Sequence, residues 1–301
     1  MPVSSPDGPT PAELDAALGE VDWGSVPDGA VVDTVSAPSG RLARITLGPE
    51  AGRRVLLVPG ATGSKEDFVV MMPLLARQGY RVESYDLAGQ FDSAAAGPQN
   101  LTPPADGYRM SLFTDDLTAV LTDRPTPAHV LGYSFAGTVA AAVAVDHPDL
   151  VASLTLLSAP PLSGQAFRGL KIVGPLTNLA SRRAAAAVMI WGIRLNLNRV
   201  GRSRLTFVRN RLRHTDRRSV DDIIGLMMQT PDLRAGLRAA QLPTLVAIGT
   251  GDLWPTARHR EFADAIGARL AAYPTGHSPC ETTPHQLVAD MVELFKQTDS
   301  T

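Results

Sequence analysis

The sequence predicts an α/β protein: a mostly parallel central sheet with helices on both faces, and an inserted helical cap. Three observations predict it. Strand-like and helix-like stretches alternate from about residue 30 onward, which calls for parallel strands joined by crossover helices. Two strand-like runs, "SLTLL" and "TLVAI", are continuously apolar, as strands buried on both faces must be. Residues 161–240 break the alternation, reading as helices with no strand, and hold 15 Lys+Arg against 4 Asp+Glu. The rest of the chain holds 13 against 26, so the two regions carry opposite charge. The expected division is a flexible lead-in over 1–28, a core over 29–160 and 241–301, and a basic helical cap over 161–240.

The elements follow in order. The lead-in is rich in proline and polar residues, with one short helix. "AVVDTVSA" and "RLARITLG" pair around the turn "PSG". "RRVLLV" is a strand, and "DFVVMMPLLARQG" a helix with apolar residues at helical spacing that glycine ends. "YRVESYDL" is a strand and "SLFTDDLTAVLTD" an amphipathic helix. "HVLGYS" is a strand, "AGTVAAAVAVDHP" a helix of small residues, and "VASLTLLS" a strand. Beyond the interruption come the strand "LPTLVAIG", the helix "ARHREFADAIG", the strand "ARLAAYP" and the helix "HQLVADMVELFKQ".

Composition excludes several classes. A hydrophobic content of 44% with 19% charged residues is that of an ordinary globular chain. A single cysteine, Cys280, allows no intrachain disulfide and fits a reducing compartment. The N-terminus lacks a basic start followed by an apolar core, so a cytoplasmic enzyme is the expectation. The longest apolar run, "AAAAVMIWGI", is too short to span a membrane and is flanked by arginines.

"VLLVPGATGSKEDF" is a strand breaking into glycines, a loop suited either to a cofactor phosphate or to the oxygen of a reacting carbonyl. Read as a dinucleotide loop, its third glycine would fall at Glu66, too bulky for close helix–strand packing. As a nucleotide P-loop it lacks the adjacent Gly-Lys pair followed by Ser or Thr. The deciding stretch is "HVLGYSFAGTVAAAVA". A strand runs into Gly132-Tyr133-Ser134-Phe135-Ala136-Gly137 and turns at once into a helix. Small residues at 132 and 136 permit a tight turn that lifts the Ser134 hydroxyl above the sheet edge.

A serine hydroxyl needs a base to take its proton and an acid to orient that base. "LVAIGTGDLWP" supplies Asp252 just past a strand, and "ARLAAYPTGHSPCETTP" supplies His277 just past the last one. The order Ser, Asp, His suits this architecture. By itself, an Asp beside Gly is also a common turn residue. The other histidines, His259 among them, lack the post-strand placement. Cys280, three residues from His277, has neither an elbow nor a separate base and reads as a bystander.

On these motifs the chain resembles the α/β-hydrolase fold family from about residue 40 to the C-terminus, with a variable cap over 161–240. The resemblance implies an oxyanion hole formed by the backbone N–H groups of Ala61 and Phe135. It also matches Asp86, Gly89 and Ser93 of "DLAGQFDS", with Phe91 where glycine is usual and Pro59 where the family carries a histidine. The implied function is a serine hydrolase of a carboxylic ester or related acyl group, with no metal or organic cofactor. Acyl transfer, thioester cleavage, and ligand binding without turnover are the alternatives. Tyr133, Trp191, Met227 and Trp254 are candidates to line the substrate pocket. Equally, such residues could simply pack cap on core. The arginines of the cap suit an anionic or carrier-bound acyl substrate, or else simply complement an acidic body. Few aromatics interleave them and no recognised fold motif is present, which gives little support to nucleic-acid binding.

Overall fold

The computed structural model describes residues 8–168, 181–195 and 200–299. Eight strands form one sheet: β1 (Val31–Ala37), β2 (Gly40–Leu47), β3 (Arg54–Val58), β4 (Arg81–Tyr85), β5 (Ala128–Tyr133), β6 (Val151–Leu157), β7 (Thr244–Gly249) and β8 (Arg269–Tyr273). Their spatial order is β1-β2-β4-β3-β5-β6-β7-β8. The pairs β1–β2 and β2–β4 are antiparallel, and every pair from β4 to β8 is parallel.

That order positions the site. From β3 the chain steps outward to β4, then crosses back over β3 to β5 and continues the other way. The carboxyl ends of β3 and β5 therefore part around a crevice, where open α/β sheets take their ligands. Alternate residues of the central strands feed two cores. Leu56, Val58, Val130, Leu154, Leu156, Val246 and Ile248 face one, against the helices Met110–Thr122, Phe135–Asp146 and Thr256–Ile266. Val55, Leu57, Leu131, Leu245 and Ala247 face the other, against Met71–Arg77 and Pro284–Asp299.

Two expectations change in detail. The helix expected over 67–79 is a short 3₁₀ turn at Lys65–Phe68 followed by an α-helix limited to Met71–Arg77. Pro73 donates no N–H, so an α-helix accommodates it only in its first turn. The lead-in, expected to be loose, is held down over its described part. Thr10 and Glu13 form a capping box on the helix Pro11–Ala16. Asp15 of that helix accepts the backbone N–H groups of His285 (2.8 Å) and Gln286 (3.1 Å), capping the last helix. Residues 1–7 lie outside the described residues.

Between β6 and β7 the described residues form the helices Arg182–Arg194, Arg202–His214, Arg217–Met227 and Arg234–Ala240. The last of these belongs to the core layer: Gly236 sits against Val145, and the Arg238 guanidinium reaches the Asp264 and Ala265 carbonyls.

Candidate active site

Ser134 sits between β5 and its helix with φ 52 and ψ −120, a backbone conformation that favours glycine. Neighbouring residues explain how the chain reaches it. A Cβ on Gly132 would stand 2.4 Å from the Ala136 carbonyl oxygen, so only glycine permits the turn. Ala136 itself is fully buried, and its single methyl fits where glycine is usual. The helix behind Ser134 is built from small residues, which lets it press onto the sheet with its positive end toward the hydroxyl.

The structure brings Ser134, His277 and Asp252 into one chain. His277 Nε2 is 3.3 Å from Ser134 Oγ, and His277 Nδ1 is 2.5 Å from Asp252 Oδ1. Close backbone packing fixes the last two. A Cβ on Gly249 would fall 1.9 Å from the Gly276 carbonyl oxygen, so the turn after β7 and the loop after β8 touch only because this residue is glycine. Gly251 N–H then donates to Thr275 O and Thr250 N–H to Tyr273 O, each at 2.8 Å. Asp252 also accepts the N–H of Leu253 at 2.6 Å.

Asp252 has a second histidine partner that the sequence reading passed over. His259 Nε2 lies 3.1 Å from Asp252 Oδ2, and both side chains are fully buried. Burial alone would push the Asp252 carboxyl up, but its contacts with His259 and His277 hold it at about 2. The available signal was a histidine in the first turn of the helix that follows the acid's loop.

Gly60 lies against Ser134, whose Cβ would be 2.9 Å from a Cβ at that position. This sets Ala61 beside the elbow. Among the described residues the N–H groups of Ala61 and Phe135 meet no acceptor. Thr62 N–H donates to Gln90 Oε1 (3.1 Å), Gly63 N–H to Gly60 O (2.9 Å) and Ser134 N–H to Leu157 O (2.8 Å). Two free donors beside one hydroxyl can hold a developing oxyanion.

Two of the pocket candidates flank the imidazole. The Tyr133 ring centre is 5.4 Å and the Trp254 ring centre 6.1 Å from that of His277. Tyr133 O–H meets Ser278 Oγ at 2.8 Å, and Trp254 Nε1 donates to Ala166 O at 2.6 Å. Met227 is buried in the main core, its carbonyl accepting the Ala166 N–H. Trp191 instead stands 57% exposed, and Val188 and Leu195 are exposed as well. Cys280 is fully buried, and burial pushes its thiol well above the usual range. Phe91 holds the glycine-like φ of 38 that its position requires, its ring edge-on to Phe207. Among the described residues, no cluster of His, Cys, Asp and Glu could hold a metal ion. None of the described helices is long and apolar enough to cross a membrane.

Comparison with known proteins agrees with this geometry. A family model for the α/β hydrolase fold matches residues 53–174. A pimeloyl-[acyl-carrier protein] methyl ester esterase of Neisseria meningitidis is 34% identical over 108 residues, 36% of this chain and 37% of that protein. A pyrethroid hydrolase of Sphingobium wenxiniae is 28% identical over 122 residues, 38% of this chain and 39% of that one. The match thus spans well under half the length of these relatives. A solved structure of a hydrolase from Pseudomonas aeruginosa superposes with a TM-score of 0.72 at 22% identity, covering 89% of this chain and 99% of that one. Sheet order, elbow and the match over residues 53–174 give this chain the α/β-hydrolase fold.

Proposed function

We propose that the protein is a serine hydrolase acting on a carboxylic ester or related acyl group. The observation that carries this reading is the continuous contact from Asp252 through His277 to Ser134, beside the unpaired N–H groups of Ala61 and Phe135. His277 Nε2 takes the Ser134 proton as Oγ attacks the acyl carbon. The carbonyl electrons move onto oxygen, which the two N–H groups stabilise by about 3 kcal/mol per donor. His277 then gives its proton to the departing alkoxide, leaving an acyl-serine. Water enters, His277 takes its proton, and collapse of the second tetrahedral species releases the acid and restores the Ser134 hydroxyl. Asp252 orients His277 and balances its positive charge in both half-reactions.

The helices over 182–227 serve in this reading as the cap over the site. The cap's exposed arginines, Arg183, Arg202 and Arg213, favour an acyl group carried on an anionic carrier. That substrate class also fits the name of the Neisseria relative. The single buried cysteine suits a cytoplasmic setting.

The test is intact mass after exposure to a fluorophosphonate probe, on wild type, Ser134→Ala and His277→Ala. The expected result is one adduct on wild type and none on either variant. Folded wild type that stays unlabelled by both this probe and a smaller one would overturn the reading. For the carrier, the KM of an acyl-phosphopantetheine ester should rise with salt while that of an uncharged ester does not.

A further inference from the structure

The loop after β3 that carries Ala61 is held from outside by the helix Arg202–His214. Arg204, Val208 and Arg211 fall on one buried face of that helix at helical spacing. Arg211 Nη1 donates to Asp67 Oδ1 at 2.5 Å and to Ser64 Oγ at 3.1 Å. Arg204 Nη2 donates to the same Asp67 oxygen at 2.7 Å and to Glu281 Oε1 at 2.6 Å. The other Asp67 oxygen accepts the Ser64 N–H at 3.2 Å, stiffening the turn three residues past Ala61.

Asp67 and Glu281 lie in the short helical turns Lys65–Phe68 and Pro279–Thr282, which follow Ala61 and His277. Asp67 closes the loop that carries Ala61, and Glu281 lies four residues beyond His277. A single guanidinium nitrogen joins these segments from opposite ends of the chain. The junction is dry: the side chains of Arg204, Arg211, Asp67 and Glu281 are 7%, 5%, 2% and 11% exposed. Trp23 covers Arg204, with its ring centre 4.4 Å from the guanidinium carbon, and Phe207 lies beside both arginines. A second polar path reaches the same loop. Ser219, on the helix Arg217–Met227, accepts a hydrogen bond from Gln90 Nε2 at 2.7 Å, and Gln90 Oε1 accepts the Thr62 N–H.

A buried ion pair adds little stability over well-packed apolar residues, so stability alone does not account for this junction. What it supplies is direction, because a planar guanidinium holds its carboxylates in a fixed geometry. We infer that Arg204 and Arg211 are positioning residues that seat the Ala61 loop and the His277 loop against each other, so that the site is complete only while the helix Arg202–His214 is docked. This rests on the serine-hydrolase reading for its effect on turnover. Its effect on the loops does not depend on turnover.

The experiment compares the full-length wild type with Arg211→Met and Arg211→Lys. Hydrogen exchange followed by mass spectrometry reads the segments 60–68 and 276–283, with β5 and β7 as internal controls. Arg211 fixes the same Asp67 oxygen that Arg204 ties to Glu281, so in Arg211→Met both segments should lose protection together, by about tenfold or more, while the strands keep theirs. On an uncharged ester kcat should fall by about thirtyfold with KM within about threefold, and Arg211→Lys should recover part of that loss. Unchanged exchange in both segments would overturn the inference, whether or not the wild type turns over esters. A folded Arg211→Met that is merely less stable, with kcat intact, would also overturn it. Should Arg211→Met not fold, Arg204→Gln gives the same readout, and a well-folded Arg204→Gln with wild-type exchange and kcat would rule the inference out.

Discussion

Asp252 lies between two histidines, with His277 Nδ1 2.5 Å from one carboxylate oxygen and His259 Nε2 3.1 Å from the other. The two contacts differ in kind. The first is a hydrogen bond, whereas neither ring nitrogen of His259 makes an aligned hydrogen bond among the described residues. His259 therefore acts on Asp252 by proximity and packing, fixing the rotation of a carboxylate that must hold His277 in one orientation.

From this relationship, His259→Ala should lower kcat on the order of tenfold, with KM nearly unchanged. It should also cost about 2–4 kcal/mol in urea unfolding, from the cavity left by a fully buried ring. Steady-state kinetics beside denaturation curves check both. A variant with wild-type kcat would show that Asp252 needs no second contact.

Asp252→Asn should reduce kcat by about 10³–10⁴-fold, because the amide favours the wrong imidazole tautomer. It should also change the response to acid. The Asp252 carboxyl is held at about 2, below its ordinary 3.8. A depressed carboxyl stabilises the fold above its unfolded value and loses that contribution as pH falls through the folded one. The stability gap between wild type and Asp252→Asn should therefore shrink by about 2 kcal/mol between pH 5 and pH 2. A gap that does not vary with pH over that range would contradict the shift.

Ser134 occupies a backbone conformation natural to glycine. Both Ser134→Ala and Ser134→Gly abolish the hydroxyl, but only glycine relieves the strain. Ser134→Gly should be the more stable of the two by about 1 kcal/mol, strain relief outweighing the extra entropy of the unfolded chain. Thermal or urea unfolding of the pair reads this directly, and equal stabilities would mean the elbow stores no strain.

Cys280 is the single thiol of the chain and is fully buried, with its ionisation disfavoured by that burial. Native protein should leave N-ethylmaleimide unreacted and keep its full activity, and should react only once denatured. Rapid inactivation by the reagent would bring Cys280 into the chemistry.

The alternation of strands and helices was legible because burial on a sheet imposes a period of two and burial on a helix one near 3.6. The elbow was legible for a similar reason, since Gly132 and Ala136 satisfy a steric demand within a few residues of Ser134. Less local features were not. His259 lacks the post-strand placement that marks His277, yet the first turn of its helix is where a ring reaches back to Asp252. Trp191 was a pocket candidate on its size and apolarity, yet it is exposed, since helical spacing does not say which way a helix is rotated. The basic excess over 161–240 suggested an anionic partner. Two of its arginines are instead consumed inside the molecule, on Asp67 and Glu281.

The sheet, the elbow and the three side chains at strand ends can be read along the chain, because each is specified by its near neighbours. Folding in three dimensions settles which second histidine meets Asp252 and which arginines join the Ala61 loop to the His277 loop. Those encounters depend on the order of strands in the sheet and the rotation of helices above it. Both are set by packing between distant segments, Arg204 standing 137 residues from Asp67 and 77 from Glu281, which no local spacing records.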